Sequence, residues 1–517
     1  MKPILAAFAV AMLGGNFQTW SQETHDHPPP EILGTVSFQT SCAPQVGPLF
    51  GRAVALLHSF AYSAARRAFQ EVSAADPTCA MAHWGIAMSY YQQLWSPPGS
   101  ADLNQGWSEL QQALALNNGS PRERQYIEAA AAFFRDADQV PHATRAKAYA
   151  AAMGELAHSN PQDTEAQVFY ALSLLATASP EDRLHANQKR AAALLEPVYK
   201  AQPDHPGVAH YLIHAYDSAE LAPRGLPAAR AYSKIAPSVP HALHMPSHIY
   251  TRLGLWDDSI ASNRAARAAA RAQGDQGEEL HAMDYLAYAY LQIGRDADAG
   301  QVVEDLRAMH GIIGADFKMG YAATAMPVRL AMERHQWDQA VLLNPLPDAA
   351  PHVAAMVFWA RAVAHSRLGH SAAADPDLAS LELCRQQLLV KGNAYWAAQV
   401  DVLGKEAKAW QLASTGDSVE ALKLMRQAAD TEDALEKLPV TPGPVVPARE
   451  QLGDLFLEQH RPAEALQEFK VALVAAPGRR GALSGAARAT VLLGISQAAA
   501  PAASAATSGV APAVSPP

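Results

Sequence analysis

Twenty of the chain's 517 residues are histidine, and seven of them fall between His205 and His281, where an even spread would place about three. Two pairs stand four residues apart, His210 with His214 and His244 with His248. On a helix that spacing puts both imidazoles on one face, one turn apart, where both can reach a single metal ion. Helix axes in contact lie about 8–10 Å apart, so an ion between two such helices is within reach of all four rings. His241, Asp217, His281 and Asp284 stand where they can complete the coordination or orient a ligand ring. Imidazole ligation suits zinc, copper, nickel or iron. The expected cofactor is therefore a transition-metal ion (copper, zinc or iron), with no choice made among them. The same residues admit a metal-free reading, as a polar groove for a peptide carboxylate or an interior hydrogen-bond network, because buried polar groups need partners. Non-covalent haem is a further option; a covalent c-type haem is not, since the chain has no CxxCH.

The remaining composition narrows the partners. Hydrophobic residues make up 49% of the chain and charged residues 17%, enough apolar surface for a large core. The net charge is −10 and no run of Lys or Arg occurs, which argues against nucleic acid and against anionic membrane surfaces. Lys2 followed by an apolar stretch over residues 4–15 reads as a signal peptide over 1–21; the stretch is too short to span a bilayer. A soluble, periplasmic or secreted protein is expected. Cleavage after Gln22 would leave Glu23-Thr24-His25 at the new N-terminus, a small copper-chelating possibility within a polar linker. In an oxidising compartment Cys42 and Cys79 can form a disulfide, leaving Cys384 as the odd cysteine. Cys79 and His83 also put two soft ligands on one helix, a pattern that reads more simply as a disulfide cysteine beside a packed histidine.

The elements that must position these residues are helices. Residues 22–45 form a Pro-rich linker, and 495–517 an Ala/Pro/Ser tail that cannot bury a core. Between them, helix follows helix, each about 12–18 residues long, punctuated by Pro, Gly and Asp. Pro203 and Pro237 lie one 34-residue period apart. In the stretch 446–479, Gly453, Phe456, Ala465, Phe469, Ala472 and Pro477 occupy the small, aromatic and helix-ending positions of a helix–turn–helix unit, as Ala65, Phe69 and Pro77 do earlier.

On these residues the chain resembles the tetratricopeptide repeat (TPR) family. The resemblance implies an all-α fold, a right-handed superhelix of antiparallel helix pairs, with about ten units over 46–494. The first helix of each unit would line a concave groove that takes a small-molecule or peptide ligand. With the register set by prolines and glycines, His210, His214 and Asp217 fall on groove positions of one unit, His241, His244 and His248 on those of the next, and His281, Asp284 and Tyr288 on those of a third. His58 and Glu450 are weaker groove candidates at the two ends. Strings such as HALHMPSHIYTRLGLWDDSI and HAMDYLAYAYLQ are similar to large exported bacterial TPR proteins, a group that supplies no activity to carry over.

No GxGxxG, Walker A, HExxH or GxSxG motif occurs. The aromatic stretch Trp84, Tyr90, Tyr91, Trp95 and Trp107 reads as core packing, with a ligand-binding wall as its alternative. Two functions remain: a metal-binding protein, a redox or hydrolytic enzyme among the options, and a peptide-binding scaffold with a polar, metal-free groove.

Overall fold

The computed structural model describes residues 31–94, 97–116 and 118–494. The expected signal peptide, His25, Trp95 and the tail lie outside them. Among the described residues no strand occurs, and the helices fall into eleven successive antiparallel pairs. These run from Gly47–His58 with Tyr62–Ala75 to Ala448–Glu458 with Pro462–Ala475, and Arg480–Leu492 closes the series. The architecture is a TPR-like α-solenoid. Alanine-rich, straight-chain sequence favours helix throughout, and local signals set the ends. Asp163, Asp275 and Asp417 cap helix starts through their side chains, and Ser120 with Glu123 forms a capping box. Gly254 and Gly294, which set the histidine register, take left-handed conformations (φ 69° and 74°) just past their helices.

The small positions work by close approach. A Cβ on Gly85 would lie 2.3 Å from the Phe69 ring, and one on Gly453 2.7 Å from the Phe469 ring. Each aromatic fills the notch its glycine leaves, and burying such a ring is worth about 1.5–3 kcal/mol. Trp84 is likewise core, packed against Phe38, Phe69, Tyr126 and Phe169. Tyr90 and Trp107 instead carry Arg66 and Arg135 over their rings.

Two irregular segments pack against the helices. Residues 32–43, expected as linker, lie against the helices: Phe38 packs on Phe50, Trp84 and Tyr126, Thr35 N–H donates to Asp204 O, and Cys42 is disulfide-bonded to Cys79. Residues 436–447 run through the concave side. Lys437 reaches Asp217, the Tyr285 hydroxyl meets Thr441 O, and the Arg329 guanidinium donates to the carbonyls of Gly443 and Pro444. The solenoid also meets its own far end, where the Trp256 indole donates to Gly478 O and Arg480 pairs with Asp296. The space facing the histidines is therefore partly occupied by the chain itself.

Because the Gly85–Phe69 notch has no slack, Gly85→Val should lower stability by about 1–3 kcal/mol, read as a fall in the midpoint of denaturant unfolding at unchanged slope.

Candidate metal centre

The helix Pro206–Tyr216 carries His210 and His214. Pro206 presets its first turn, and the His205 ring caps it by accepting from Val208 N–H. Close contact is built in at Gly207, where a Cβ would lie 2.6 Å from His58 Nδ1. In the next unit, Pro240–His244 and Pro246–Arg252 follow one another through Met245, which keeps helical angles. Pro246 lacks the N–H that would continue the ladder, yet His244 and His248 stay one turn apart. His281 comes from Gln276–Gln292.

The four expected ligands do not gather around one point. They separate into two triads, His210–His214–His241 and His244–His248–His281, and within each triad the available nitrogens lie within 4.8 Å of one another. His241 and His281, expected as supporting residues, thus stand among the candidate ligands. In the first triad His210 Nε2 is 3.1 Å from His214 Nε2 and 3.2 Å from His241 Nε2; in the second, His244 Nε2 is 3.0 Å from His248 Nε2. Two nitrogens bound tetrahedrally to one ion at 2.0–2.1 Å are about 3.3 Å apart.

The other ring nitrogen decides what these short distances mean. His210 Nδ1 is 2.7 Å from the carbonyl of His58, which can only accept. His248 Nδ1 is 2.9 Å from an Asp217 oxygen, and His241 Nδ1 is 3.3 Å from a Glu278 oxygen. His244 Nδ1 is 2.6 Å from Asn263 Oδ1, whose orientation is fixed because its NH2 group donates to Ser259 O. In each of these histidines the ring proton sits on Nδ1, which leaves Nε2 as an acceptor; the Tyr285 hydroxyl lies 3.4 Å from His248 Nε2 but nearer, at 3.1 Å, to the Thr441 carbonyl that accepts its hydrogen bond. His244 and His248 therefore face each other through two acceptors 3.0 Å apart.

The surroundings keep five of the rings neutral. Burial, reinforced by neighbouring histidines, holds His210, His214 and His244 well below the usual imidazole range. Burial likewise holds His281 well below it, and it pushes His248 down to about 4 against the opposing pull of Asp217. Burial alone would raise Asp217, but Lys437, Arg252 and His248 outweigh it and hold the carboxyl well below its ordinary value. Glu278 behaves the same way under Lys318 and His241. Phe60 packs edge-on to His210 and alongside His241 from a left-handed backbone (φ 55°) that bulky residues rarely adopt. Tyr285 packs against His244 and His248.

His214 is the one ligand candidate that is not fully buried. With Asp217 it lines a cavity of about 240 Å³ whose walls include Gln93, His142, His185, Phe317 and Lys437.

The other expected residues lie elsewhere. His58 donates from Nε2 to Glu165 and accepts at Nδ1 from the Tyr211 hydroxyl, and His205 donates to the second Glu165 oxygen. Every contact in that trio has a proton in it, so it closes without an ion. Asp217 stands behind His248, holding its Nδ1 and pairing with Lys437. Asp284 is ion-paired with Arg329 in the core, and Glu450 with Arg479. His83 pairs with Glu109, and Cys79 is taken by its disulfide. The residues that fix the tautomers, Glu278 and Asn263, went unread in the sequence; nothing in their spacing marks them.

No family model matches the chain, and no curated protein matches it. Solved structures with a similar course of helices include yeast Tom70 (13% identity, 86% of this chain and 95% of that one, TM-score 0.38) and the human IFIT1 dimer with m7Gppp-AAAA (12%, 76% and 89%, TM-score 0.36). The P58(IPK) TPR domain is a third (12%, 88% and 99%, TM-score 0.23). Among the described residues no helix is long and apolar enough to cross a membrane.

The depressed histidines set a sign for pH. An unfolded chain takes up protons at these rings below about pH 6.5, whereas the folded chain resists them. Stability of the metal-stripped protein is thus complete above pH 6.5 and should drain away between there and about pH 4, the value at His248. His248 alone accounts for about 3 kcal/mol of that loss. Denaturant midpoints measured across this range should fall with pH; a flat profile would contradict the assignment of neutral rings.

Proposed function

We propose that this chain is a metalloprotein, a helical-repeat scaffold that holds transition-metal ions in its histidine triads. The observation that carries this reading is the His244–His248 contact, where two lone pairs fixed by Asn263 and Asp217 meet at 3.0 Å in a buried site. Leaving a buried acceptor unsatisfied costs about 1–3 kcal/mol, and a cation at that point turns both acceptors into ligands. Carboxylates that hold the outer nitrogen are the usual supports of metal-binding histidines, fixing the ring and raising its basicity. A haem fits less well: axial nitrogens on its two faces would be about 4 Å apart, wider than the His210–His214, His210–His241 and His244–His248 contacts of 3.1, 3.2 and 3.0 Å. A peptide ligand at this point would have to displace residues 436–447, so the groove reading is confined to small molecules.

Three protein nitrogens per ion leave a coordination position for water or substrate, and the cavity beside His214 supplies a route to it. This supports metal-dependent chemistry on a small molecule, hydrolytic or redox according to the ion. The Cys42–Cys79 disulfide and the apolar N-terminal stretch support export to an oxidising compartment.

Metal analysis of purified protein tests the reading. Wild-type protein dialysed against zinc or copper should retain stoichiometric metal and lose it to a chelator. The melting temperature should rise on loading, since ligand at about 1,000 times its Kd adds about 4 kcal/mol to stability. His244→Ala/His248→Ala should retain less metal while keeping its helical circular dichroism. Equal, substoichiometric metal in both proteins would refute the proposal.

A further inference from the structure

The two triads are neighbours, and that arrangement carries an inference which rests on the metal reading above. His214 of the first triad lies with its ring centre 6.1 Å from that of His248 in the second. His241 and His244 are 6.2 Å apart by the same measure. A single run of chain, 240–252, serves both: His241 turns toward the first triad, and His244 and His248 toward the second. Sites so placed are not independent. Metal pairs in two-metal centres stand about 3.5–4 Å apart and clamp one ligand between them.

The donor set is as informative as the spacing. All six candidate ligands are imidazoles. The nearby carboxylates, Asp217 and Glu278, are each occupied with a histidine Nδ1 and a cation, Lys437 for one and Lys318 for the other. Two dications bound only by neutral rings carry their full charge into a buried space, where a small anion between them is the most direct compensation. An all-imidazole set also suits copper and zinc better than the carboxylate-rich sets of paired iron or manganese.

We propose that the triads form one paired metal centre, with one ion in each triad and a single small bridging anion of the hydroxide type shared between them, open to exchange from the cavity beside His214. The position of His214 fits this role, since it is the ligand candidate that borders the cavity, while His210, His241, His244, His248 and His281 are buried. The substrate class that follows is a small molecule able to coordinate both ions at once through one or two oxygen or nitrogen atoms.

Cu(II) and azide are suitable probes. Full-length protein loaded with Cu(II) should take up two ions per chain. Its electron paramagnetic resonance signal should be mostly silent, because a shared bridge couples the two spins. Azide should replace the bridge and add a charge-transfer band that saturates at one azide per pair. His210→Ala/His214→Ala should bind one ion and give a full, uncoupled Cu(II) signal. His214→Ala alone, at the partly exposed position, serves if the double variant fails to fold, and should weaken one of the two binding steps while uncovering the signal of the other. One ion per chain in the wild type, or two ions with additive, uncoupled signals, would overturn the paired centre and leave metal binding intact. No retention of Cu(II) or zinc would overturn both.

Discussion

The histidine centre depends on where each ring keeps its single proton. A neutral imidazole is a donor at one nitrogen and an acceptor at the other. Fixing the first fixes the second. The His58 carbonyl, the Asp217 and Glu278 carboxylates and the Asn263 amide oxygen all sit on the Nδ1 side and all accept. Four lone pairs are thereby aimed inward from two successive units. Asp217 and Glu278 can do this because they stay ionised in the interior, and they stay ionised because Lys437, Arg252 and Lys318 lie against them. The centre is thus a layered electrostatic object: cations hold carboxylates, carboxylates hold ring protons, and ring protons dictate what the inward face can bind.

The solenoid supplies what this layering needs. Repeats place one helix of each unit side by side along the groove, so residues one turn apart on adjacent helices come into register. A plain repeat would leave that face wet, and a wet site would screen the very interactions that set the tautomers. Residues 436–447 narrow that space by lying against the helices, bringing Lys437 to Asp217 and the Thr441 carbonyl to Tyr285 and leaving the cavity beside His214. Phe60 closes the other side from the first turn between helices. The fold is a helical solenoid in which, at this point, an irregular segment of the chain lies against the histidine-bearing helices.

Much of this was legible before any coordinates. The helix pairs followed from apolar periodicity, and the Gly453–Phe469 notch from the repeat positions. The alignment of His210, His214, His241, His244, His248 and His281 on one face followed from helix-ending prolines and glycines. The division into two triads did not follow, because register gives position along a helix and not the rotation and slide of the next one. The break at Pro246 adds to that uncertainty, since a helix without a ladder bond there can bend. Lys437 was invisible for a different reason: it lies 220 residues from Asp217, on an irregular segment that carries no periodic signal. His58 and Glu450 held groove positions yet answer to Glu165 and Arg479, which shows that facing the groove and facing the centre are separate conditions.

The same molecule contains a comparison that separates proximity from ligation. His58, Glu165 and His205 are as buried and as closely grouped as either triad. There Tyr211 and Val208 N–H donate to the Nδ1 atoms, which drives both ring protons to Nε2, toward Glu165. Two N–H groups meet one carboxylate, which they hold down at about 2, and the cluster is complete as it stands. In the triads the outer partners of His210, His241, His244 and His248 are acceptors, their protons move outward, and their Nε2 atoms turn inward as acceptors. Reversing the outer partner reverses the chemistry at the centre, with no change in residue type or spacing. Histidine clusters on a repeat face are therefore to be read from the outside in. The groups behind the rings decide whether the space between them is a finished hydrogen-bond network or a place for a cation.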